Sequence, residues 1–230
     1  AVHLSNTHGS AALWVAGIHP VSDDKRSPQP SADYPGRVAK TLEGEHVDLL
    51  AFAAGGMGAS EAPRGVDPAK SMSEPLQRIL QCARRNAKDT GNWAFVSLPV
   101  DPELAYRPAG VPVFIDPWKR RLGEVRIEAL HLGPLTLISL PFEPSGELSN
   151  QVRTRGLRQG RSWQVLPFNG GYLGYAHTER VHALAPKKQA QMYDYETQTL
   201  NFLGPRGTRW MMNLAVGLAE GVDDKLRRGR

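Results

Sequence analysis

An α/β fold of layered, mixed β-sheets flanked by helices is what this sequence predicts, and three observations carry the prediction. Apolar runs of strand length alternate with stretches of helical spacing. Some neighbouring strands are separated by a tight turn and others by a helix, so antiparallel and parallel pairings occur together. The 23 glycines and 18 prolines among 230 residues demand many loops, which suits sheets with long connections better than a helical bundle.

Each element follows from its own residues. "SAALWVAGI" (10–18) reads as a buried strand that ends at Pro20, and after a polar, Pro-rich loop "RVAKTLEGEH" reads as the end of a helix stopped at Gly44. A second buried strand, 47–54, runs into the Gly-rich turn "GGMGASEAP". Over 67–87 the spacing of Met72, Leu76, Ile79, Leu80 and Cys82 predicts an amphipathic helix with Pro75 near its first turn. "WAFVSLPV", "VPVFI", "EVRIEALHLG" and "LTLISLPF" read as four strands, the last two joined at "LGP" as a hairpin. "PSGELSNQVRTRGL" predicts a helix, "SWQVLPF" a strand, "NGGYLGYAH" a glycine-permitted turn entering another strand, and "RWMMNLAVGLAEGV" a final helix after a long polar segment. Trp14, Trp163 and Trp210 read as core. No repeat and no internal boundary is evident, so 1–230 is expected to be a single domain portion.

Apolar residues at 40% and charged residues at 22% are the usual globular mix and exclude disorder as the overall state. The net charge of +5 is spread along the chain except at the terminal "KLRRGR". Residues 223–230 are therefore read as a solvated basic tail, and no nucleic-acid partner is expected. Cys82 is the one cysteine, which rules out an intrachain disulfide and a Cys-rich zinc site and reads as a small core residue. No run of about 18 apolar residues and no basic-then-apolar leader in "AVHLSNTHGS" means that neither a membrane span nor a signal peptide is expected within these residues; a processed chain would read the same, so secretion stays open.

GxGxxG, P-loop, HExxH, CxxC and GxSxG motifs are absent from the sequence. What remains is a set of polar residues at strand exits: His19 in "IHPVS", Ser60 and Glu61 in "GASEAP", Glu143 in "LPFEPSG" and Tyr172 in "NGGYLGY". Singly, each is more simply a satisfied structural residue. His3, His46, His131, His177 and His182 are likewise read as structural, with His177 close enough in sequence to Tyr172 to support it.

In order, however, these segments resemble the neutral (non-lysosomal) ceramidase family, zinc amidases that cleave the N-acyl bond of ceramide. "LWVAGIHPVS" is similar to the family's "NWFAIHPVS", "LAFAAGGMGASEAP" to its Gly-rich "GDVSPN" segment, "LTLISLPFEPSGELSNQVR" to its strands through "PGEFTTMSGRRLR", and "NGGYLGYAHT" to "NxYxGYxTT". The likeness runs over most of 10–220. It implies a ceramidase-like catalytic domain lacking its N-terminal part, with zinc (Zn2+) as cofactor. His19, Glu143 and Tyr172 would supply three of the four metal ligands, and Ser60, Glu61 and Tyr172 would be the catalytic residues. Where the family has the Asp of "GDVSPN", this chain has Ala59. His8 in "SNTHGS" falls where the family has a turn, so the fourth ligand is expected from a second polypeptide that supplies the N-terminal part of the domain.

The resemblance implies hydrolysis of the N-acyl amide of a ceramide-like lipid by metal-activated water, in an extracytoplasmic setting that allows peripheral membrane contact. Two alternatives stand beside it. One is a catalytically impaired ceramidase-like protein acting as a binding or assembly component, favoured by Ala59; the other is an unrelated α/β binding module.

Overall fold

The computed structural model describes residues 1–21, 29–58, 62–63, 65–86, 93–101, 124–184 and 200–228, with side chains described through 224. The chain gathers into two compact units, one of Ala1–Ala54 and Ser60–Asp89, the other of Gly55–Ala59 and Thr90–Arg230.

In the first unit β1 (Val2–Asn6) and β2 (Gly9–Ala16) form a hairpin, and β2 pairs in parallel with β3 (Leu49–Ala54). The hairpin turns because the Asn6 side chain accepts the backbone N–H groups of His8 and Gly9, at 2.8 and 3.1 Å. β1 escapes a reading by pattern because "VHLSN" is an edge strand, short and largely exposed. A parallel pair needs a crossover, here α1 (Asp33–Leu42). Its Tyr34, Val38 and Leu42 recur every four residues and are buried. Tyr34 and Phe52 pack on Trp14, with ring centroids 6.2 and 5.0 Å away.

The next helix, α2 (Pro68–Arg85), starts where the Asp67 carboxylate caps the N–H of Ala69 at 3.0 Å and Pro68 occupies the first turn. Pro75 is thus inside the helix rather than near its first turn. The buried face is Ala69, Leu76 and Leu80 with Met72 against it. Ile79 and Cys82, expected in that face, lie a step round the helix and are exposed.

The second unit is built on a four-stranded sheet of β4 (Trp93–Val100), β5 (Val125–Leu132), β6 (Leu135–Ser139) and β8 (Ser162–Leu166), in that order. β4, β5 and β6 are antiparallel neighbours; β6 and β8 are parallel, joined through β7 (Glu143–Pro144) and the crossover helix α3 (Gly146–Arg158). β9 (Tyr175–Ala176) pairs in parallel with β7, and α4 (Glu179–Leu184) and α5 (Gly204–Arg228) follow. The expected strand at 111–115 lies outside the described residues.

Val125, Ile127 and Ala129 of β5 alternate inward with Trp163 and Val165 of β8, and α5 lays Met211, Ala215, Ala219 and Val222 over them. This stripe leaves Trp210 outward and 39% exposed, against its reading as core. α3 packs on β8 through Gly156, where an added Cβ would come within 2.7 Å of the Trp163 ring.

The final helix does not stop before the basic segment, whose first residues are helical through Arg228. Asp223, read as part of a solvated tail, is 2% exposed. One of its oxygens lies 2.8 Å from His131 Nδ1 and accepts the Thr136 hydroxyl at 3.0 Å; the other accepts Trp163 Nε1 at 3.1 Å and faces the Arg161 guanidinium at 3.6 Å. A single carboxylate thereby binds groups on or beside β5, β6 and β8, which pins α5 to the sheet. Asp223→Ala should lower stability by ~3 kcal/mol, because it strands several buried polar groups at once. Urea unfolding of the variant measures the loss; a change under about 1 kcal/mol would mean that the carboxylate does not hold the helix.

Candidate functional site

The parallel pairing of β6 with β8 sends two consecutive loops out of the same end of the sheet. Beyond the carboxyl ends of parallel strands is where α/β folds place ligand sites. Here the two loops stay bonded to each other past the strands themselves. The Leu140 amide donates to Leu166 O at 2.9 Å, Asn169 N–H to Leu140 O at 3.2 Å, Leu173 N–H to Pro141 O at 2.5 Å and Glu143 N–H to Gly174 O at 2.8 Å. The pairing ends where Ser145 N–H reaches Ala176 O at 2.9 Å and the Ser145 side chain caps α3 by accepting the N–H of Leu148.

"NGGYLG" can follow this path because its glycines take left-handed conformations. Gly174 is the tightest, with φ of +75° and Leu200 O only 1.7 Å from where a Cβ would stand. Tyr172 stacks its ring on Phe168 at 5.9 Å between centroids. Glu143, on β7, is 2% exposed. The segment 55–58 closes over the same place: Gly58 N–H donates to Pro144 O at 3.2 Å, and a Cβ on Gly58 would sit 3.1 Å from Glu143 O. The Gly-rich turn thus lies against the strand that carries Glu143, a close approach only a residue without a side chain makes easily.

The structure therefore brings Glu143 and the Tyr172 loop together in the second unit. His19 belongs to the first unit, three residues beyond the end of β2, half-buried. The chain beside it is held by Tyr34, whose hydroxyl donates to Ile18 O at 2.7 Å. Burial, with the Asp33 carboxylate adding to it, pushes the Tyr34 hydroxyl up to about 12, so it stays a donor at any ordinary pH. Ser60 and Glu61 lie outside the described residues. His8 is at the tip of the β1–β2 hairpin, exposed. Among the described residues no group of three or more His, Cys, Asp and Glu side chains stands close enough to hold a metal.

His177, read from sequence only as a support for Tyr172, follows β9 and is 1% exposed. Its ring stacks on Tyr175 with centroids 6.3 Å apart. Burial, reinforced by nearby His182, pushes its imidazole down to about 4, so it is neutral near pH 7. His182 is also lowered by burial. Nothing in the sequence marks His177 for burial; it follows a strand of only two residues, too short to show a period.

No protein-family model matches the chain, and no curated protein matches it. Solved structures do. The crystal structure of a neutral ceramidase from Pseudomonas aeruginosa matches with a TM-score of 0.60 over 94% of this chain at 16% identity, and a ceramidase solved in complex with C2 matches with a TM-score of 0.60 over 94% at 14% identity. The chain spans 44% and 46% of those two chains, less than half their length. The fold, mixed sheets flanked by helices, is similar to that of the matching part of these ceramidases.

Two outcomes test this geometry. Gly174→Ala should cost at least ~2 kcal/mol in chemical denaturation, since it meets both a left-handed φ and a carbonyl in its path; a neutral substitution would mean that the joined loops are not arranged as described. Stability should also fall in acid. The unfolded chain protonates its imidazoles near the ordinary value of 6.5, while folded His177 refuses the proton until about pH 4, so its contribution is full above pH 6.5 and is lost as the pH drops through that window. Urea melts across the window should show His177→Gln with a shallower slope than the parent; an unchanged slope would count against a neutral, buried His177.

Proposed function

We propose that this chain is the ceramidase-type portion of a zinc-dependent amidohydrolase that cleaves the N-acyl amide of a ceramide-like lipid. The observation that carries the reading is the joining of the Glu143 and Tyr172 loops at the carboxyl ends of β6 and β8, two of the residues the family resemblance singles out. The fold shared with neutral ceramidases supports it. In this reading the family resemblance makes His19 a third ligand.

The donor set suits the ion by its chemistry, since carboxylate, imidazole and a neutral phenol oxygen, which keeps its proton, can all serve a borderline-soft cation. The Glu143 side chain adds an observation of its own, because its Oε1 is sealed from solvent. When bound, zinc would supply a Lewis acid for the amide carbonyl and make a water more acidic. Glu61 would take a proton from the attacking water, with Ser60 beside it to orient that water. The Tyr172 hydroxyl would donate to the oxygen on which negative charge develops. Phe168, stacked on the Tyr172 ring, limits the ring's freedom and holds that donor.

An N-acyl lipid substrate fits an extracytoplasmic enzyme that meets membranes at their surface. Among the described residues no helix is long and apolar enough to cross a membrane. A second reading has one specific observation behind it: Ala59 stands where the resemblance calls for an acid, and loss of a general base typically removes ~10²–10⁴ in rate. In that reading the chain keeps the fold and serves as a binding or assembly component.

Elemental analysis of the purified protein, together with hydrolysis of a fluorescent N-acyl sphingosine, separates these. About one zinc per chain is expected, lost in Glu143→Ala while circular dichroism is unchanged, with turnover falling by ~10²-fold or more. Stoichiometric zinc without turnover on any N-acyl amide selects the binding component. A purified, folded protein that holds no zinc overturns the metal-site reading.

A further inference from the structure

Asn201, three residues ahead of α5, is completely buried, and its side chain can take only one orientation. The Gly204 N–H reaches Oδ1 at 2.7 Å, so the carbonyl oxygen must stand there and the amide nitrogen must face the other way. On that side Nδ2 meets His182 Nε2 of α4 at 3.1 Å. An amide nitrogen only donates, so His182 Nε2 accepts. The imidazole is therefore neutral, with its proton on Nδ1.

The backbone beside this amide supports the candidate site. Gly174 and Asn201 face each other across an antiparallel bridge, and Tyr175 N–H donates to Leu200 O at 2.9 Å. Gly174 O accepts the Glu143 N–H at 2.8 Å. The turn that carries Tyr172 is thus clamped between the Glu143 strand and the pair 200–201, and the Asn201 side chain ties that pair to α5 through Gly204 and to α4 through His182. A second proton on His182 would set an N–H against the amide NH2. Turning the amide over only moves the conflict to Gly204, whose N–H would then face a nitrogen. Fully buried, Asn201 cannot exchange the lost bond for one to bulk water.

We propose that His182 and Asn201 form a proton-operated latch on the turn that carries Tyr172, closed while His182 is neutral and released when it takes a proton. That the latch regulates catalysis rests on the reading of Tyr172 as a site residue; the latch itself does not. Burial holds His182 below the ordinary value of 6.5, so the latch is closed near pH 7 and opens as the medium is acidified below 6.5. His177, pushed down to about 4 by burial and by His182, stays neutral while His182 takes its proton. The other charged groups on the elements around His182 are Glu179 and Arg180 of α4, Glu147 of α3, and Arg206 and Arg209 of α5. Arg180 pairs with Glu147 and Arg209 with Glu179, all exposed and screened by solvent, and Arg206 is exposed too.

Hydrogen–deuterium exchange of the full chain from about pH 7.5 to about pH 5, corrected for the intrinsic pH dependence of amide exchange, tests the latch. Amides of 173–176 and 200–204 should exchange about tenfold faster or more at the acid end, while those of β5 keep their protection. His182→Gln offers a carbonyl oxygen near the place of Nε2 and takes up no proton. It should keep the neutral-pH protection of these amides across the range, and His182→Ala should exchange fast throughout. A parent without the acid response, or a Gln variant that responds as the parent does, would overturn the latch. Turnover of the fluorescent N-acyl sphingosine separates the latch from the site it serves. An acid loss of kcat that His182→Gln reduces supports a latch at a working site, and one that His182→Gln leaves unchanged overturns its regulatory role. An exchange response in a chain without turnover supports the latch and counts against the site, whereas turnover without an exchange response overturns the latch alone.

Discussion

The parallel contact between β6 and β8 is the constraint from which the candidate site follows. Two parallel neighbours must emerge at the same end of a sheet, and their exit loops must run side by side unless something parts them. Nothing does here, because Leu140, Pro141 and Glu143 keep exchanging backbone hydrogen bonds with the segment from Leu166 to Gly174. The short β7–β9 pair is the last stretch of that continuous ladder. Glu143 and Tyr172, 29 positions apart by number, are therefore neighbours by topology and need no long-range coincidence.

A ladder of this kind is only as firm as the sheet behind it, and the sheet is closed on one face by α5. Helix α5 is held by packing, which is non-directional, and by Asp223, which is not. An apolar stripe alone would tolerate small rotations of the helix. A buried carboxylate bound by His131, Thr136 and Trp163 from three strands tolerates few, since any rotation leaves one of them unmatched. Surface contacts add little beyond this: Arg155 and Gln159 of the α3 region reach Glu220 at 2.9 and 2.8 Å, and exposed pairs contribute weakly.

Strands with a clear apolar run and helices with a cap were legible in the sequence, and the exceptions have physical reasons. β5, β6, β8 and α3 stand where their residues predict them, because the tight "LGP" turn and the Ser145 cap mark their ends locally. α2 was legible as a helix, but not its inward face: Met72, Leu76 and Leu80 define a stripe that Ile79 and Cys82 nearly share, and only the neighbours of the helix decide between them. The continuation of α5 past Val222 was hidden because a basic run reads as solvated, while Asp223 is drawn inward by partners up to 92 positions away. Of the candidate site, the order of Glu143 and Tyr172 on strand exits could be read from the sequence. Their adjacency could not, because it depends on which strands are parallel.

Glu143 itself is the feature least accounted for by folding alone. The residues around it, Leu140, Phe142 and Ala176, are completely buried, and an apolar side chain at 143 would continue that core. A carboxylate in such a place, even when paired, seldom adds net stability over an apolar residue of similar volume. Proteins depart from the locally most stable choice chiefly at functional sites. The departure at 143 stands at a strand exit, with Gly58 donating to the carbonyl of its neighbour Pro144 and a glycine-formed loop alongside. In the proposed reading, that acid at the strand exit is the one that serves the metal.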